Sequence, residues 1–231
     1  MDHLALPQTG VSTAMDENGA KDHRVNILLV DDHPVVRAGI RQILSTHFPA
    51  DFVEADTAQA ALEACARHNF DLMLLDVSMP GRSGLDLLVD IRAHCRELPV
   101  LIMSIHGEEQ YARRALKAGA AGYIIKSSSC GKLVKAERKV LAGGTYVSPE
   151  LAESLASSLG HDETEPPHET LSPREFEVFR LIVEGKSGKD IAGILFLSFK
   201  TVSTYRTRIF QKLGMASTAE LAQYAAQQGL I

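Results

Sequence analysis

The sequence predicts a doubly wound α/β domain with a five-stranded parallel sheet, followed by a small all-α module of four helices. Three observations carry that expectation. From Val25 to about Gly143, short apolar runs alternate with single amphipathic segments of helical period. Polar residues fall at the ends of those runs, where an open parallel sheet binds its ligands. After residue 170, four helix starts of Ser-cap type follow one another closely.

Composition sets the outer limits. A chain of 231 residues with 45% hydrophobic residues can bury two small cores. No run approaches the length of a membrane span, and the polar start lacks the apolar stretch of a signal peptide. The three cysteines, Cys65, Cys95 and Cys130, are scattered without metal-ligand spacing and read as reduced thiols of a cytoplasmic protein. The net charge of −5 is uneven. Residues 171–231 carry eight Lys/Arg against five Asp/Glu, while residues 144–170 carry six acids and no base. A basic terminal module behind an acidic connector points to a polyanionic partner.

Residues 1–24 lack periodicity and read as a mobile leader. Ile27 to Val30 reads as a buried strand, ending at Asp31-Asp32. His33-Pro34 then opens a helix whose apolar positions are Val36, Ile40, Ile43 and Leu44. Phe52 to Glu54 is a weaker strand, followed by a helix from Ala58 to Arg67. The run Asp71 to Asp76 is the third strand, and Pro80-Gly81 turns the chain beyond it. A helix bearing Leu87, Leu88 and Ile91 follows, then the strand Pro99 to Ser104 and a helix from Glu108 to Ala118. Ala121 to Ile125 is the fifth strand, running into Lys126, and Gly131 to Leu141 the fifth helix. The doubly wound unit therefore spans 25–143.

Asp31, Asp32, Asp76, Ser104 and Lys126 then share one edge of the sheet. Clustered carboxylates suit a hydrated Mg²⁺ ion, which prefers hard oxygen ligands. A cation and the Lys126 ammonium beside Asp76 would stabilise the oxygens of a phosphoryl group in transfer, with Asp76 as nucleophile. On these residues, Val25 to about Gly143 resembles a response-regulator receiver domain. The resemblance implies that Asp76 is the phosphoacceptor. It implies that Asp31 and Asp32 hold Mg²⁺, together with Asp76 and the main-chain carbonyl of Ser78. It also implies that Ser104 is the switch hydroxyl, Tyr123 the switch aromatic and Lys126 the conserved-type lysine. It further implies that Ser78 and His106 occupy positions that influence phosphoryl lifetime. Ser127 stands where many receivers carry Pro, which puts a cis peptide after Lys126 in question.

Residues 144–169 read as a linker, with a short helix over 149–159 behind the cap Ser148 and an exposed, semi-extended stretch around Pro166-Pro167. In the terminal module, 170–231, Ser172-Pro173-Arg174-Glu175 is a capping box that starts a helix through Phe176, Phe179 and Ile182. Ser187, Ser198 and Ser217 start the other three. The tight connection before Ser198 suggests helix-turn-helix. On the third helix, Val202, Tyr205, Ile209 and Leu213 share a core face. Lys200, Ser203, Thr204, Thr207 and Gln211 share the opposite one, suited to base edges in a major groove. Arg206, Arg208 and Lys212 flank it, towards phosphates. Ser198 to Lys212 holds four bases and no acid, whereas an ordinary solvated face mixes signs.

This module resembles the LuxR-type helix-turn-helix of the NarL/FixJ response regulators. The matching residues are Leu171 to Glu175, Ile191-Ala192, Leu197-Ser198, Thr201-Val202 and Lys212-Leu213; Tyr205 departs from the frequent His. Together the resemblances imply a cytoplasmic, non-enzymatic transcription regulator. Its partners would be a histidine kinase, DNA as paired half-sites, a second copy when phosphorylated, and RNA polymerase as a further candidate. A phosphohydrolase with an Asp nucleophile would need a second acid two residues on, where Ser78 stands. A flavodoxin-like cofactor binder would have no use for the acidic pair. A regulator working through protein contacts alone would leave the acid–hydroxyl–lysine set unexplained.

Overall fold

Burial at consecutive positions decides which apolar runs become strands. Leu72 to Asp76 is buried throughout, as a strand covered by helices on both faces must be. The computed structural model describes residues 24–105, 109–158 and 166–230. In its first part strands and helices alternate: β1 (Val25–Val30), α1 (Pro34–Ser45), β2 (Ala50–Ala55), α2 (Ala58–Arg67), β3 (Leu72–Asp76), α3 (Gly84–His94), β4 (Val100–Ser104), α4 (Glu109–Lys117), β5 (Gly122–Ile125) and α5 (Cys130–Leu141). The sheet is parallel throughout, in the order β2-β1-β3-β4-β5. The chain reverses its winding between β1 and β3, and the crevice at that switch point is where such sheets bind ligands.

Two cores flank the sheet. On one face Ile27, Leu29, Leu74 and Met103 pack with Ile40 and Leu44 of α1 and Val134 and Val140 of α5. On the other, Leu28, Met73, Leu75 and Ile102 meet Leu87, Leu88 and Ile91 of α3 and Ala112 and Ala115 of α4. Each fully buried Leu or Ile contributes about 1.5–3 kcal/mol relative to exposure. Truncating Leu74 to Ala is therefore expected to cost about 2–5 kcal/mol.

The remaining elements are α6 (Pro149–Ser158), a 3-10 turn (Pro167–Thr170), α7 (Pro173–Val183), α8 (Gly188–Ile194), α9 (Phe199–Leu213) and α10 (Thr218–Gln227). Ser172 caps α7 in a capping box, its hydroxyl accepting from Glu175 N–H while the Glu175 carboxylate accepts from Ser172 N–H. Ser187, Ser198 and Ser217 accept from the backbones of Asp190, Thr201 and Glu220. Gly214 takes the left-handed conformation that ends α9, at φ 65°.

Tyr205 is half-buried and packs against the core beside Val202, Ile209 and Leu213, on the expected face of α9. No peptide bond is cis among the described residues, Lys126-Ser127 included. One expectation changes: the stretch after Pro166 is not an exposed strap. His168 is buried, its Nδ1 2.8 Å from the Tyr224 hydroxyl, and Arg114 of α4 grips the turn. The leader up to residue 23, His106, Glu108, Leu159 and residues 160–165 lie outside the described residues.

Candidate functional site

Sheet register assembles the first site. Val30 of β1 pairs with Leu75 of β3, so Asp31 emerges beside Asp76. Asp76 pairs with Met103 of β4, which places Ser104 one step beyond, and the Lys126 N–H donates to the Ser104 carbonyl at 2.7 Å. The Lys126 ammonium bridges the two acids, 2.6 Å from Asp31 Oδ2 and 2.8 Å from Asp76 Oδ2. Burial pushes the Asp76 carboxyl above the usual carboxylate range, partly opposed by Lys126. Burial pulls Lys126 down, but its bonds to Asp31 and Asp76 outweigh that and its affinity for the proton rises. Ser78 N–H donates to Asp76 Oδ1 at 3.2 Å, and His33 N–H to Asp31 Oδ1 at 2.8 Å.

Ligand atoms of Asp31, Asp32, His33 and Asp76 all lie within 4.8 Å of one another. Three carboxylates face a single ammonium there, an imbalance that a divalent cation would correct. His33 enters the cluster through Nδ1, 3.0 Å from Asp32 Oδ1. Only its adjacency to Asp32 hinted at that in the sequence. Gly84 starts α3 against the acceptor strand, where a Cβ would overlap the Asp76 carbonyl oxygen. The Ser104 and Tyr123 side chains are hydrogen-bonded to each other, and both are buried. Tyr123 is thus turned inward, its phenol pushed up to about 12 by burial first, against the opposing Ser104 bond.

The second site is α9. Lys200, Thr204, Thr207, Arg208 and Gln211 are exposed, with Ser203 and Arg206 half-buried beside them. Thr204 and Thr207 turn their hydroxyls back to the carbonyls of Lys200 and Ser203. Arg206 lies 5.8 Å from the Phe210 ring centre. Lys212 stands apart, bonded to Glu175 Oε2 at 2.6 Å and to the Thr170 carbonyl at 3.1 Å. It braces α9 on the start of α7.

A third assembly joins the two units and had no sequence signal. Ser83 at the cap of α3 donates to Glu177 Oε1 of α7 at 2.8 Å; Arg174 holds Glu177 Oε2 at 2.5 Å and the Leu195 carbonyl at 2.8 Å. Arg114 reaches the carbonyls of Leu171 and His168 at 2.7 and 2.6 Å. Its guanidinium also lies 4.1 Å from the Phe176 ring centre, and Tyr111 meets that ring edge-on. Burial raises the Glu177 carboxyl, against the pull of Arg174 and Ser83. A cleft of about 370 Å³ remains, with Asp32, Ser78 and Ile105 on one wall and Arg180, Leu195 and Phe196 on the other. The α7–α8 edge thus faces the rim of the Asp76 site, while the exposed face of α9 stays open.

Residues 27–138 match the family of response regulator receiver domains, and residues 169–225 match the bacterial regulatory proteins of the luxR family. Response regulator UvrY of Escherichia coli is 36% identical over 208 residues, covering 89% of this chain and 95% of that protein. Oxygen regulatory protein NreC of Staphylococcus carnosus is 37% identical over 217 residues, covering 90% and 99%. Among solved structures, RcsB of Salmonella enterica serovar Typhimurium, bound to promoter rprA with the phosphomimetic BeF₃⁻, is similar at a TM-score of 0.61 and 27% identity. That likeness covers 88% of this chain and 99% of RcsB. No helix among the described residues is long and apolar enough to cross a membrane. The sheet, the helical module and both matches agree: the chain belongs to the NarL/FixJ response regulators, two-component transcription regulators that join a receiver domain to a LuxR-type DNA-binding domain.

Proposed function

We propose that Asp76 accepts a phosphoryl group from a histidine kinase and that the modified chain pairs on two DNA half-sites. The observation that carries this is the Asp31–Lys126–Asp76 cluster, with the Ser104–Tyr123 pair one strand away. An Asp76 carboxylate oxygen attacks phosphorus; the P–O bond forms as the bond to the donor imidazole nitrogen breaks. Lys126 and the Ser78 N–H face the incoming oxygens. Mg²⁺, held by Asp31, Asp32, Asp76 and the Ser78 carbonyl, would supply the remaining positive charge. Ser104 then leaves Tyr123 to donate to the phosphoryl group, and the freed Tyr123 ring changes the face of α4 and β5.

That face is where the terminal module is held, through Arg114 and Tyr111 of α4. Phosphorylation also makes the site more negative by about 0.5–1 charge, since the carboxylate charge is lost as the phosphoryl group is gained, across the cleft from Glu177 and Glu184. Both effects weaken the contact, and the released module is free to pair. Lys200, Ser203, Thr204, Thr207 and Gln211 would then face base edges, with Arg206, Arg208 and Lys212 beside phosphates once Lys212 leaves Glu175. The protein would act in the cytoplasm, where RNA polymerase is the further partner of a bound dimer. Incubation with Mg²⁺ and phosphoramidate, read by intact mass, tests the acceptor. Wild type should gain one phosphoryl group and Asp76→Asn none; equal gain by both would remove Asp76 from the role.

A further inference from the structure

The fold gathers two cysteines that lie far apart in the sequence. Cys65 on α2 and Cys95, the residue that caps α3, have their thiols in hydrogen-bonding contact. Both are partly exposed and line an open cavity of about 490 Å³ with His68, His94, Phe70 and Leu98. Phe70 and Leu98 precede β3 and β4, so this cavity lies at the end of the sheet opposite Asp76. Arg92 is held by the carbonyls of Arg96, at 2.7 Å, and Leu98. Its guanidinium is close enough to Cys95 for a charge interaction, which offsets the partial negative charge at the α3 C-terminus.

We propose that Cys65 and Cys95 form an oxidisable dithiol that closes to a disulfide when hydrogen peroxide enters this cavity. The Cys95 thiolate sulfur attacks one peroxide oxygen; the S–O bond forms and the O–O bond breaks. The departing hydroxide takes the proton that Cys95 released, giving water. The Cys65 sulfur then attacks the sulfenic sulfur. The S–S bond forms as the S–O bond breaks, and the second hydroxide leaves with the Cys65 proton as water. Two electrons pass from the two sulfurs to the peroxide. Burial, then the neighbouring thiol, pushes the Cys65 thiol up to about 11, so Cys65 is not the residue that attacks the peroxide first.

The same side chains, with His68 and His94, are donors that soft divalent metals prefer. Among the described residues, however, the four donor sets are not gathered around one point as the Asp31 cluster is. The two thiols interact directly, and that favours the disulfide.

The test uses the full chain carrying Cys130→Ser, which removes the exposed third thiol. The protein is treated with hydrogen peroxide, unfolded, alkylated with N-ethylmaleimide and weighed intact. The expected product is lighter by two hydrogens and carries no maleimide, and dithiothreitol restores both reactive thiols. A second variant, Cys65→Ser with Cys130→Ser, should stop at a sulfenic acid on Cys95 that dimedone traps. Two maleimide adducts after peroxide would overturn the proposal, as would sulfinic acid at either residue without a cross-link. Stoichiometric retention of added Zn²⁺ with both thiols shielded would assign the cluster to metal binding and overturn it equally.

Discussion

Glu137 shows what an unneutralised acid does in this fold. Its side chain is fully buried on α5, neither oxygen has a hydrogen-bond partner among the described residues, and burial pushes its pKa up to about 8. The folded chain therefore holds the proton more tightly than the unfolded chain, whose value is near 4.5. Stability is full below about pH 4.5 and falls as pH rises towards 8. At neutral pH the loss amounts to about 3 kcal/mol. Glu137→Gln should recover most of it at pH 7 and little at pH 4, measured by urea denaturation at both values; equal gains at both would contradict the ionisation argument. At Asp76 Lys126 offsets part of the same burial penalty. Lys126→Met should therefore be less stable than wild type in EDTA, and the gap should narrow when Mg²⁺ is added; a gap indifferent to Mg²⁺ would count against a cation at the acids. The sequence marked Asp31, Asp76, Ser104 and Lys126 because each ends an apolar run. Glu137 had no such mark, since one acid on an amphipathic helix looks solvated until the packing of α5 on the sheet is known.

At the scale of elements, the helices were legible from their ends and the strands from continuous apolar runs. The four Ser caps of the terminal module are all present as hydrogen bonds. Ser198→Ala removes the bond to Thr201 N–H and should destabilise the terminal module by about 1 kcal/mol, seen in its thermal midpoint. The exposed face of α9 carries a further expectation. If Arg208 meets a phosphate, Arg208→Ala should reduce the slope of log affinity against log salt by about 0.9. An unchanged slope would place Arg208 off the DNA. What caps and periodicity could not show is which surface a helix presents to a distant partner. Arg114 and His168 have the composition of solvated positions, yet Arg114 closes α4 onto the turn before α7. The connector looked exposed for the same reason: Pro166-Pro167 fixes its local shape, while Tyr224 and Arg114, far off in the chain, bury it.

For the molecule as a whole, the open face of α9 in the joined arrangement has a consequence. The receiver holds the α7 side of the module and leaves the exposed face of α9 uncovered, so under the proposed function it would restrain pairing rather than mask the recognition surface. Ser83→Ala and Arg114→Ala should each loosen that contact, giving a larger radius of gyration by small-angle scattering and tighter paired-site binding without phosphorylation. Unchanged values for both variants would mean that the contact does not restrain the module. The central claim is that chemistry at Asp76 controls pairing on DNA. The most direct measurement is recovery of sheared genomic DNA by the full-length protein, with and without Mg²⁺ and beryllofluoride, beside Asp76→Ala. Enrichment of paired half-sites by wild type only with the phosphoryl mimic, and by Asp76→Ala in neither condition, is the predicted result. Equal enrichment in all four samples would leave the DNA-binding module in place but contradict its control by Asp76.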